Sequence, residues 1–182
     1  MPTPSEYAAQ IRALGWNDLR ALWSAIEQRD TPGWEAGKAL EYLVIRAFEL
    51  DGAQVRWPYS VHLFGEEVEE IDGVVYFAGL SCLVESKDLS ENVAIGPIAK
   101  LRNQLLRRPA GTVGLMFSRM GFTDPARFLA HFALPQAILL WSGDEIEYAL
   151  ARERMGEFLM MKYRICVEDG LPVYDVRESD IP

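Results

Sequence analysis

Cysteine and histidine are scarce in this chain of 182 residues, which holds two of each. Cys82 lies in an apolar run and Cys166 near the end, which makes no disulfide framework and suits a reducing, cytoplasmic setting. With His62 and His131 alone, and no metal-type Cys spacing, a zinc site is not expected. No apolar run approaches the roughly 20 residues that span a bilayer, so no membrane-spanning helix is expected. The opening MPTPSEYAAQ lacks a basic flank and an apolar segment, and no signal peptide is read there. Internal repeats and low-complexity tracts are also missing. Positive charge is short: 18 Lys and Arg face 27 Asp and Glu, for a formal net charge of −9. That balance counts against nucleic-acid binding, whose affinity comes largely from phosphate neutralisation.

What is present suits one soluble domain with a sizeable core, since 49% of the residues are hydrophobic and 25% charged. The basic residues are not evenly spread. Between Lys100 and Arg127, Lys100, Arg102, Arg107, Arg108, Arg119 and Arg127 face Asp124 alone. This segment either solvates helices or meets phosphate.

The chain is organised around Glu66 to Lys87, EEVEEIDGVVYFAGLSCLVESK. Two runs rich in β-formers flank Ala78-Gly79, which predicts a hairpin with a tight turn. If Phe77 faces Leu80, Asp72 falls opposite Glu85 and Glu70 opposite Lys87. Opposed residues have Cβ atoms roughly 4.5–5.5 Å apart, and residues two apart share a face. Glu70, Asp72, Glu85 and Lys87 then form one patch. Like charges opposed across strands are unfavourable, so the patch is either a site completed by a divalent cation or a solvated face with one Glu-Lys pair. A charged Glu and Lys ending a strand that reads as buried favour the first.

Elsewhere the pattern predicts helices within 5–30, with Asn17 as a cap, and from Trp34 to Leu50, where Glu41 sits beside the buried stripe. On its own spacing Glu41 reads as a rim residue pairing with Lys38 or Arg46. Ala53 to Phe64 reads as a strand broken by Pro58. A helix from Pro97 carries Lys100, Gln104 and Arg108 at spacings of four, on one face. A buried strand spans Thr112 to Phe117. Thr123 caps a helix over Asp124 to Phe132, a strand covers Ala137 to Trp141, and a helix starts at Ser142. The periodicity of Met155 to Val167 does not decide between helix and strand. Glu168 to Pro182 reads as an acidic tail.

Ile71-Asp72-Gly73, followed after a hairpin by Val84-Glu85-Ser86-Lys87, resembles the PD-(D/E)xK nuclease signature, with Ile71 where Pro often stands. The order of elements over roughly Gly33 to Leu150 is most similar to the Mrr-like branch of restriction endonucleases. The resemblance implies an α/β fold, a restriction endonuclease-like mixed β-sheet flanked by helices, with an added N-terminal helical pair. It divides the chain into a helical extension (1–32), the core (33–154) and a C-terminal appendage (155–182). It implies that Asp72 and Glu85, with Glu41, hold Mg²⁺ or Mn²⁺, that Lys87 is catalytic and that Gln104 positions the nucleophile. Arg107, Arg108 and Arg119 become candidates for phosphate contact. The implied activity is metal-dependent endonucleolytic hydrolysis, of DNA ahead of RNA, in restriction, defence or repair. A homodimer or a partner subunit fits the same pattern. The alternatives are a non-catalytic scaffold or regulatory subunit built on this fold, or an acidic protein that mimics DNA.

Overall fold

The computed structural model describes residues 2–180. Its first half runs α1 (Pro4–Arg12), α2 (Trp16–Glu27), α3 (Lys38–Leu50), β1 (Gln54–Arg56), β2 (Tyr59–Leu63), β3 (Glu66–Ile71), β4 (Gly73–Phe77) and β5 (Leu80–Lys87). The second half runs α4 (Ile95–Leu105), β6 (Thr112–Ser118), α5 (Asp124–Phe132), β7 (Ile138–Trp141), α6 (Gly143–Arg152) and α7 (Met155–Asp169). A mixed sheet in the order β1-β4-β5-β6-β7 forms the middle layer. Its first three strands are antiparallel, and β5, β6 and β7 are parallel. The parallel strands are joined through α4 and α5, as parallel neighbours require. This is the expected mixed sheet flanked by helices.

The central hairpin has the expected turn. Ala78 and Gly79 take φ values of 47° and 87°, the paired left-handed geometry that matches strand twist. Phe77 faces Leu80, and the ladder continues to Gly73 opposite Val84. There it stops. Ile71 and Glu70 pair instead with Tyr59 and Ser60 on β2, in a separate two-stranded ribbon. The expected pairing of Glu70 with Lys87 is therefore not made. The cause lies upstream: Pro58 lacks a backbone N–H, so the β1 and β2 segments part there and β2 draws β3 away from the sheet. Gly73 restarts the ladder where α3 comes close, since a Cβ there would stand 2.5 Å from Ile45 Cδ1.

Alternation along the strands divides the core into two layers. Val75, Cys82, Val84, Leu115 and Phe117 face α1, α2, α3, α6 and α7, whereas Val74, Leu83, Met116 and Leu140 face α4 and α5. The N-terminal pair belongs to the first layer, with Ile11, Leu19, Trp23 and Ile26 buried against α3. Gly15, rather than Asn17, caps α2, because the Asp18 carboxylate accepts the Gly15 N–H at 3.0 Å.

The undecided stretch is α7, and it carries a buried lysine. Lys162 donates to Glu145 Oε1 at 2.5 Å, and the same oxygen accepts the Val176 N–H at 3.2 Å. These bonds tie residues 172–176 onto α6 and β7, where Leu140 N–H reaches the Pro172 carbonyl. Of the 155–182 segment, Ile181 and Pro182 lie outside the described residues, as does Met1 of the 1–32 segment. Among the described residues no helix is long and apolar enough to cross a membrane.

Candidate active site

Asp72 lies at the point where the chain changes partner, between β3 and β4. Its Oδ2 accepts the Ser86 N–H at 2.7 Å and the Ser86 hydroxyl at 3.1 Å. Asp72 is thus pinned to the end of β5 rather than held by ladder pairing. Glu85, on β5, is fully buried. Two ammonium groups reach it: Lys87 Nζ at 2.5 Å, and Lys100 Nζ at 3.1 and 3.2 Å from its two oxygens. A buried carboxylate left unpaired is strongly destabilising, so the two lysine contacts are what make the burial of Glu85 tolerable.

Glu41 approaches from α3 and is 6% exposed. Lys38, one turn earlier, donates to it at 2.8 and 3.0 Å. Burial, and then the charge of Asp72, push the Glu41 carboxyl up to about 7, against the pull of Lys38 and Lys87. Burial and then the charge of Glu85 raise Asp72 above the usual carboxylate range, opposed by the Ser86 bonds and Lys87. The three carboxylates therefore feel one another in series, Glu41 to Asp72 to Glu85.

This donor set is all oxygen, which suits Mg²⁺ or Mn²⁺; Mg²⁺ takes one or two carboxylates and keeps several waters. Among the described residues, no three Asp, Glu, His or Cys side chains converge as a ready-made metal cage. The chemistry of the set fits a weakly caged, water-rich ion.

The other expected residues are placed as follows. Gln104 is buried on α4, and its Nε2 donates to the Glu70 carbonyl at 3.1 Å, fastening the ribbon to the helix. Arg107 and Arg108 both form ion pairs with Glu69, and Arg108 also donates to the Gln104 carbonyl. Arg119 pairs with Asp88 at 2.5 Å and donates to the Leu89 carbonyl. Its side chain is 8% exposed. Arg107 is the most open of the three, with a half-exposed side chain. Sequence reasoning did not assign Lys100, Lys38 or Ser86 to the site. Lys100 carried one signal, its position four residues before Gln104 on the same helix face.

Glu41 gives a first prediction. A carboxyl with a raised folded pKa keeps its proton where the unfolded chain has released it, so folding stability falls as pH rises from about 4.5 to about 7. The shift corresponds to about 3 kcal/mol at most. Urea denaturation of Glu41→Gln between pH 5 and 8 is expected to show a flatter pH dependence than wild type. Equal slopes would mean that Glu41 titrates normally.

No family model matches the chain, and no curated protein matches it. Two solved structures are similar to parts of it. One is a protein of unknown function, AF1548, at 19% identity and a TM-score of 0.47, over 56% of this chain and 56% of that chain. The other is the MspJI restriction endonuclease in complex with a 27-mer oligonucleotide, at 18% identity and a TM-score of 0.43, over 85% of this chain and 34% of that one.

Proposed function

We propose that the protein is a divalent-metal-dependent nuclease that hydrolyses phosphodiester bonds, of DNA ahead of RNA. The observation that carries this reading is the cluster at the end of β5: Asp72 on Ser86, and buried Glu85 on Lys87 and Lys100. A core strand gains no stability from ending in a fully buried carboxylate, so the arrangement asks for a chemical use.

Asp72 and Glu85, with Glu41, would hold Mg²⁺ or Mn²⁺, which supplies Lewis-acid stabilisation of the phosphate and an acidified water. The rest falls to this chain's own groups. Lys87, held at 2.5 Å from Glu85, presents an ammonium where negative charge develops on the phosphate. Lys100 adds a second cation from α4, its side chain about half exposed while it pairs with Glu85. Glu41, whose carboxyl burial and Asp72 push up to about 7 in the metal-free protein, would be held ionised by the cation it helps to bind. Gln104 acts by keeping the ribbon, and with it Asp72, in place. The preference for DNA and a role in restriction, defence or repair rest on the sequence resemblance.

The lysine-neutralised Glu85 also favours a second reading, a non-catalytic scaffold that uses the same fold. Incubation with Mg²⁺ or Mn²⁺ and plasmid, linear duplex, single-stranded DNA or RNA separates the two. Cleavage that stops with chelator is expected for at least one substrate. Failure on all four with either metal would overturn the nuclease reading.

A further inference from the structure

A recess of about 330 Å³ opens beside the carboxylates. Its lining joins the carboxylates Glu41, Glu70 and Asp72 to Pro4, Pro58 and the half-buried Tyr59 ring. Resting on the nuclease reading, we infer that this recess takes an unpaired base next to the scissile phosphate, so that the substrate is a single strand or an unpaired segment.

The walls are built in advance of any ligand. The Tyr7 ring stacks on Trp34 at 5.1 Å and 11°, and its hydroxyl accepts the Glu35 N–H. Tyr42 stacks on Trp57 and donates its hydroxyl to the Pro4 carbonyl, which closes α1 over α3. The Arg56 guanidinium lies 3.5 Å over the Tyr59 ring and fixes it. These contacts bury Tyr7 and Tyr42, so the half-buried Tyr59 ring is the aromatic surface left for an unpaired base, and stacking there tolerates any base. A recess of this size admits one base, whereas a base still in its pair brings its partner and a second backbone.

The charge distribution points the same way. Tracking a duplex needs many free cations. Here the net charge is −9, and Arg107, Arg108 and Arg119 are held in ion pairs with Glu69 and Asp88. A strand held in part by stacking draws some of its affinity from contacts other than phosphate.

The test is fluorescence anisotropy in chelator, with one labelled oligonucleotide as single-stranded DNA, as blunt duplex and as its RNA counterpart. Single strands are expected to bind at least about tenfold tighter than duplex, with Tyr59→Ser weakening them by about tenfold and leaving the duplex value unchanged. Ser60→Trp, which fills the recess from β2, is expected to do the same, and its melting curve shows whether the fold is kept. Preference for the RNA strand over DNA would support the recess and reassign the polymer. Equal affinity for duplex and single strand, or a preference that survives Ser60→Trp, would overturn this inference while leaving metal-dependent cleavage untouched. No binding to any of the three would also overturn this inference, and cleavage with Mg²⁺ or Mn²⁺ decides the nuclease reading separately.

Discussion

Glu85→Gln, Asp72→Asn and Lys87→Ala are each expected to reduce divalent-dependent cleavage by at least 10²–10³-fold, the order of loss seen when one group that stabilises developing charge is removed. The proteins should remain folded, for different reasons. The amide introduced by Asp72→Asn keeps an oxygen for the Ser86 N–H that Asp72 now accepts at 2.7 Å. It also loses the repulsion from Glu85 that raises the proton affinity of Asp72. Lys87→Ala leaves Glu85 paired with Lys100. Glu85→Gln is the hardest case, because Lys87 and Lys100 then face a neutral amide, so it should be the least stable of the three. Far-UV circular dichroism checks the fold, and initial rates on a labelled substrate check the chemistry. Cleavage by Glu85→Gln at the wild-type rate would remove the carboxylate from the mechanism.

Asp72, Glu85 and Lys87 were legible in the sequence as candidates, Ser86 and Lys100 were not, and the geometry was legible in part. Ala78-Gly79 between two apolar runs fixes a turn locally, so the register from Phe77–Leu80 to Gly73–Val84 follows from a few residues. The caps at Thr123 and Ser142 are equally local. The exchange of partners at Asp72 is different, because it depends on β2, which meets β3 only after Pro58 has split the preceding strand. Nothing in EEVEEIDG marks that break. The lysine pair on Glu85 likewise needs α4 to cross the end of β5, a tertiary fact that spacing within the helix does not contain. The C-terminal region was opaque for a third reason. Lys162, fully buried on α7, interrupts the apolar stripe by which a helix is recognised, and its partner Glu145 lies 17 residues earlier on α6.

Millimolar Mn²⁺ or Mg²⁺ is expected to raise the melting temperature by several degrees. An ion that binds the folded state alone adds about 2.7 kcal/mol at a hundredfold excess over its dissociation constant. About 1 kcal/mol moves a domain of this size by roughly 2–4 °C. Monovalent salt at matched ionic strength should do much less, because screening weakens the repulsion among Glu41, Asp72 and Glu85 without coordinating oxygen. The ion and the proton compete for the same oxygens, so the shift should be larger at pH 8 than at pH 6, on either side of the value near 7 for Glu41. In the absence of metal, Asp72→Asn alone should melt above wild type, since it removes a buried charge that Glu85 opposes. Adding Glu85→Gln should cancel that gain, because two lysines lose their partner. The double variant should show no response to divalent ions beyond that of monovalent salt. A wild type and double variant that respond alike would place the ion elsewhere, and the scaffold reading would then account better for a carboxylate already neutralised by Lys87 and Lys100.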